Sequence, residues 1–141
     1  MTQANASVKT RGLLAVIVEK YRWFGVLWWI VIVIVVVGSL LPERELVIAT
    51  AFLPDISDKL QHFGAYLGLA VLAVLGHQRL KTGVALALCM ILLGIGLEFA
   101  QAWSPGRTPD VFDALANACG VVGGLACIVP VKMAALNRAN R

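Results

Sequence analysis

Charge is what this 141-residue chain has least of: only 14% of its residues are Asp, Glu, Lys or Arg, against about 25% in ordinary soluble domains. With 60% hydrophobic residues, that shortage argues against a small soluble fold, because a domain of this size buries only part of its surface. There is no CxxC pair among Cys89, Cys119 and Cys127. All three fall in apolar runs, where they read as small residues packed between helices, and they say nothing about redox compartment. No basic patch is interleaved with exposed aromatics, so nucleic acid is not an expected partner. Internal repeats and low-complexity tracts are missing too, which leaves one domain. The chain also has no H-E-x-x-H-type metal motif, and no serine or cysteine placed as a nucleophile.

What is present is oil, in four windows. Residues 23–41 carry no charge at all, residues 60–75 are apolar after their first few positions, residues 82–102 are broken only by Glu98 and Gln101, and residues 112–131 only by Asp113 and Asn117. A spanning helix needs roughly 20 such residues to cross a hydrocarbon core about 30 Å thick. The first window is too long for a signal-peptide core and is followed by PERE rather than a small-residue cleavage site, so it reads as a retained helix. The expectation is an all-α polytopic membrane protein, a four-transmembrane-helix bundle with spans at about 23–41, 58–77, 82–103 and 112–132.

Lysine and arginine orient it. Lys9, Arg11, Lys20, Arg22, Arg79, Lys81, Lys132, Arg138 and Arg141 would lie on one side and Arg44, Lys59 and Arg107 on the other. Nine against three places both termini in the cytoplasm by the positive-inside rule. Residues 1–22 then form a cytoplasmic tail, disordered over 1–10, whose short apolar stretch at 12–22 either lies on the membrane or extends the first span. Residues 23–134 form the bundle and 135–141 a second cytoplasmic tail. The expected location is the cytoplasmic membrane of a prokaryotic cell.

Small residues mark where helices approach: Gly64 and Gly68 in the second span, and Ala116, Gly120 and Gly124 in the fourth. Such ridges let backbones pack closely, within the bundle by preference, with a homo-oligomer as the alternative. The first helix lacks one and is expected to face more lipid. Pro54, Asp55, Ser57 and Asp58 read as a helix start, Trp103 as an interfacial anchor, and Asp110 as an N-cap for the last helix.

The polar residues inside the spans gather at one end. Asp58, His62 and Tyr66 are spaced i, i+4, i+8 and form one helix face descending about 12 Å. Glu98 and Gln101 share a face near the end of the third span, and Asp113 and Asn117 share one at the start of the fourth. Arg107 and Asp110 lie in the loop between. The opposite halves of these spans contain nothing comparable. An ionised group in hydrocarbon costs several kcal/mol unless paired or facing a wet cavity. Glu98 must therefore be protonated, paired with Arg107 or His62, or line a polar pocket. Lys59 alone reads as a solvated residue at the mouth of its helix.

The run DKLQHFGAYLGLA, followed by EFAQAWSPGRTPDVFDALANACG, closely resembles the VanZ-like integral membrane proteins. Their approximate pattern, D-K-x-x-H-F-x-x-Y-x-x-L, then E-x-x-Q, then G-R-x-x-D-x-x-D-x-x-A-N-x-x-G, is met here by Asp58, Lys59, His62, Phe63, Tyr66, Glu98, Gln101, Gly106, Arg107, Asp110, Asp113, Asn117 and Gly120. The match covers roughly residues 55–124. The resemblance implies a role at the cell envelope, in the setting of low-level resistance to the glycopeptide teicoplanin, and it brings no defined reaction with it.

Two functions from different classes follow. In the first, the polar end faces outward and binds or acts on an envelope lipid or cell-wall precursor. Asp58, His62 and Glu98 are then the candidate catalytic groups, with His62 as general base or acid oriented by Asp58. Tyr66, Gln101, Arg107, Asp110, Asp113 and Asn117 are the candidate substrate-binding groups, Arg107 offering a planar donor fork to a phosphate or carboxylate. In the second, the cluster only pins helices together. No cofactor is named by the residues. A divalent metal on Asp58, His62, Glu98 and Asp113 is the lesser alternative and is not assigned. Four spans without a broken-helix pair argue against a transporter.

Overall fold

The computed structural model describes residues 3–42, 44, 45, 48 and 57–139. Four helices account for nearly all of them: α1 (Gln3–Leu40), α2 (Asp58–Gly76), α3 (Leu80–Gln101) and α4 (Val111–Ala139). Each contains a segment long and apolar enough to cross a membrane: Tyr21–Leu40, Asp58–Gly76, Leu80–Gln101 and Val111–Arg138. The described residues contain no strand, as expected for backbone that must satisfy its own hydrogen bonds in lipid.

The first helix is longer than the first apolar window. Residues 3–10, expected to be disordered, are helical, and the helix continues unbroken through 12–22. Their Ala, Gln and Lys content favours helix, and no proline intervenes to stop propagation from the apolar segment. At the other end the chain leaves the helix at Leu41 and Pro42. Of the anticipated start of α2, Pro54 and Asp55 lie outside the described residues. Ser57 takes the N-cap position without a side-chain cap; its carbonyl accepts the Leu60 and Gln61 amides at 2.9 and 3.0 Å. Asp110 does cap α4, its Oδ1 accepting the Phe112 amide at 2.8 Å. Gly106, at φ 78°, makes the turn between α3 and α4.

Helix α2 is the hub, packing against all three others and most extensively against α4. The closeness of that pair comes from the small residues of α4. A Cβ on Gly120 would stand 2.3 Å from the Phe63 carbonyl oxygen, and one on Gly124 2.7 Å from that of Leu67. The α2 pair behaves otherwise: neither Gly64 nor Gly68 has anything within 4 Å of a built Cβ. The ridge of α4 therefore packs onto the Phe63–Leu67 face of α2, one position round from the glycines. Helix α1 does have a close crossing, contrary to its composition, since Gly76 could not carry a Cβ without meeting the Gly25 nitrogen at 2.9 Å. Between these crossings lies a core of Trp28, Tyr66, Leu69, Ala70, Ala73, Ala87, Met90 and Val121. Many large apolar side chains point outward, including Trp29, Ile34, Leu92, Phe99 and Val122, which suits a lipid surround. The three cysteines are exposed rather than packed between helices; a thiol is apolar enough to face hydrocarbon.

Candidate functional site

The ends of α1 and α3 and the starts of α2 and α4 meet at one end of the bundle, where the polar side chains converge. Tyr66 and Asn117 are each 2% exposed. Gly94 of α3 lets them approach, since a Cβ there would come 3.0 Å from Asn117 Nδ2 and 3.1 Å from the Tyr66 hydroxyl. The Asn117 carbonyl oxygen lies 3.0 Å from His62 Nδ1 on α2. A carbonyl oxygen can only accept, so Nδ1 carries a proton and Nε2 is the ring nitrogen left to face the rest of the site.

Nε2 faces two carboxylates, Asp58 Oδ1 at 3.8 Å and Asp113 Oδ2 at 3.7 Å. Both separations exceed hydrogen-bonding distance. The expected orienter of His62, Asp58 one turn earlier, is thus not its hydrogen-bond partner. Asn117, a residue of another helix, holds the ring instead, and its i, i+55 relation to His62 was not visible in spacing.

Lys59 was undervalued by the sequence. Its ammonium donates to both Asp110 and Asp113, tying the start of α2 to the start of α4. The Lys59 ammonium holds the Asp110 carboxyl below the usual aspartate range, and the Phe112 amide adds to this. The one available signal was the D-K pair at the head of the quoted motif. Glu98 is 6% exposed and is met by backbone, its Oε2 accepting the Asp110 amide at 3.2 Å. Among the described residues neither Arg107 nor His62 comes within ion-pair distance of it. Gln101, 2% exposed, donates to the Ser39 carbonyl at 3.1 Å, and Ser104 donates to that of Leu40 at 3.0 Å. Both satisfy carbonyls that the end of α1 leaves without helical partners. The Arg107 guanidinium makes no hydrogen bond or ion pair among the described residues.

Two pockets open among these groups. One, of about 160 Å³, lies between α1 and α2, with Ile34, Val35, Gly38 and Ala65 on its apolar wall and Asp58, Gln61, His62, Tyr66 and Arg107 on the polar one. The other, of about 200 Å³, is almost wholly polar and is lined by Asp58, Lys59, Gln101, Gly106, Arg107, Thr108, Asp110 and Asp113. Asp58 and Arg107 line both.

The opposite end of the bundle also holds a buried polar contact that the sequence did not suggest. Lys132, counted among the cytoplasmic-side cations, is 6% exposed within α4. Its ammonium donates to the Val74 carbonyl at 2.6 Å and to that of His77, and it lies 5.1 Å from the centre of the Tyr21 ring. A lysine near a helix end ordinarily reaches outward. Here the carbonyls ending α2, at the negative end of its dipole, are closer than water.

Four apolar helices of spanning length around a polar, doubly pocketed end define an all-helical, multi-pass membrane protein in a lipid surround. The sequence model of the VanZ/LLP1 family matches residues 34–133, and the chain belongs to that family. No curated protein and no solved structure matches it.

Proposed function

We propose that the chain binds the head-group region of an amphiphilic envelope molecule, an envelope lipid or a lipid-linked cell-wall precursor, on the outer side of a prokaryotic cytoplasmic membrane. The observation that carries this reading is the junction of the two pockets. An apolar wall from α1 and a polar basin at the α3–α4 loop share Asp58 and Arg107. A molecule with a tail in the first and a head group in the second would cross that boundary at the Arg107 guanidinium, whose donors are unspent among the described residues. Arg107 then takes a phosphate or carboxylate in its fork, with Tyr66, Asp110, Asp113, Asn117 and Gln101 around the head group. The nine-to-three lysine and arginine balance supports an outward-facing polar end.

In a catalytic version of the site, His62 is the candidate acid–base group, its ring held at Nδ1 by Asn117. Asp58 and Glu98 are the accompanying acid–base groups. Changed susceptibility to teicoplanin is the expected phenotype in a cell that carries the protein.

The test is lipid analysis of the protein purified in native membrane patches. An envelope amphiphile should co-purify with the wild type and be lost from Arg107→Ala while the chain stays folded. Equal lipid content in the two proteins would sink the reading. A second reading, a purely structural knot, is favoured by the Lys59 contacts to Asp110 and Asp113. It requires that His62→Ala and Glu98→Gln both fail to fold and that Asp58→Asn, whose carboxylate is exposed, keeps its function, whereas a functional site leaves Asp58→Asn folded and inactive.

A further inference from the structure

We infer that Asp58, His62 and Asp113 form a binding site for a divalent transition-metal ion of the Mn²⁺ or Zn²⁺ type. One ligand atom from each residue lies within 4.8 Å of the other two. The separations from His62 Nε2 are 3.8 Å to Asp58 and 3.7 Å to Asp113. These distances are too long for hydrogen bonds. They suit an imidazolium–carboxylate ion pair, and they suit coordination as well, since ligands about 2.1 Å from one ion in tetrahedral to trigonal geometry are about 3.4–3.6 Å apart.

The state of the imidazole is an independent observation. Asn117 Oδ1 accepts a hydrogen bond from Nδ1, and Asn117 is 2% exposed, with Gly94 leaving room for it where a Cβ would come within 3.0 Å. With Nδ1 held by Asn117, Nε2 is the ring atom that faces the two carboxylate oxygens, and a neutral ring turns its lone pair toward them, where a cation between the three groups is accommodated. A histidine ligand that donates its far N–H to a fixed acceptor is the usual pattern in metal sites. Lys59 fits the same plan, since it holds Asp113 by Oδ1 and leaves Oδ2 for the ion. Asp58, Asp110 and Asp113 line the polar basin together with Lys59 and Arg107.

The imidazole ligand selects a transition metal over Mg²⁺ or Ca²⁺, which prefer all-oxygen shells. With only three protein ligands, and with Asp58 61% exposed on the polar basin, coordination positions stay open to water or to an anionic head group. The ion site stands whether or not an amphiphile binds, so it is tested without one.

The experiment uses the full chain in lipid nanodiscs, stripped with EDTA and titrated separately with Mn²⁺, Zn²⁺, Mg²⁺ and Ca²⁺. The expected result is one Mn²⁺ or Zn²⁺ per chain, bound more tightly than either alkaline-earth ion. Pulsed electron paramagnetic resonance of the Mn²⁺ form should show coupling to a directly bonded imidazole nitrogen. Asp58→Asn should weaken binding by at least about tenfold, the smallest loss typical even for a group that only supports a ligand. Its carboxylate is exposed and makes no hydrogen bond among the described residues, so folding is not at risk. His62→Gln should abolish the nitrogen coupling. Absence of saturable binding, a preference for Mg²⁺ or Ca²⁺, missing nitrogen coupling, or unchanged affinity in Asp58→Asn would each overturn the assignment.

Discussion

Replacing Gly120 by alanine tests the packing that brings the site together. The added Cβ would stand 2.3 Å from the Phe63 carbonyl oxygen and 3.0 Å from the Leu67 nitrogen. A carbon and a carbonyl oxygen rest about 3.3 Å or more apart, so α2 and α4 must separate by about 1 Å. Both obstacles are backbone atoms, and no rotamer change can relieve them. A gap of that size forfeits about a quarter to a half of the dispersion energy of each pair it opens. Overpacking of this kind costs about 1–3 kcal/mol, and backbone on both sides argues for the upper end. Removing a helical glycine returns about 0.5–1 kcal/mol, leaving a net loss of about 2 kcal/mol. Gly64→Ala is the internal control. Nothing lies within 4 Å of its Cβ, so stability should be unchanged or rise by up to about 1 kcal/mol. The assay is reversible unfolding in mixed micelles of a mild detergent and dodecyl sulfate, followed by tryptophan fluorescence, to which buried Trp28 contributes. Asn117 lies one turn from Gly120, so its 3.0 Å contact with His62 should lengthen and metal binding should weaken in the same variant. A Gly120→Ala protein as stable as the wild type, or a Gly64→Ala protein as damaged as Gly120→Ala, would refute the assignment of the helix crossing.

Other outcomes follow from particular contacts. Lys132→Met removes the charged donor to the Val74 and His77 carbonyls and should lower stability by about 1.5–3 kcal/mol in the same micelle titration, the usual worth of a hydrogen bond to a charged group. The Asp110 carboxyl lies below its ordinary value because of Lys59. Its stabilising effect should therefore be complete above about pH 4 and fade only as the pH falls through the lower folded value. Hydrogen exchange at the Phe112 amide, which Asp110 caps, should stay protected in mild acid, and Asp110→Asn should remove that pH dependence. Reporter fusions at Gly106 and after the C-terminus should give opposite compartments, since α4 separates them as one span; the same compartment for both would refute the four-span arrangement.

The fold was legible because lipid imposes a simple constraint. Backbone in hydrocarbon must be helical, and about 20 apolar residues are needed per crossing, so counting charge-free residues finds the helices without knowledge of any contact. The polar groups could be placed at one end for the same reason: helical rise and period carry Asp58, His62 and Tyr66 onto one face, and topology brings Glu98, Gln101, Asp113 and Asn117 to the same depth. Which side chain meets which was a different matter. Lys59 looked like a solvated charge until α4 brought Asp110 and Asp113 to it, Lys132 looked like one more cytoplasmic-side cation until α2 ended beneath it, and the Gly64–Gly68 pair looked like a packing ridge until the rotation of α2 turned Phe63 and Leu67 toward Gly120 and Gly124 instead. Each of these depends on helix rotation, and a one-residue step turns a helix face by about 100° while leaving composition and spacing unchanged. The membrane class, the number of spans and the polar end were thus determined by sequence alone, through hydrophobicity summed over windows. The partner of His62, the hold of Lys59 on α4 and the meeting of Asp58, His62 and Asp113 were decided only by the tertiary structure, because they are distances between helices that no single helix contains.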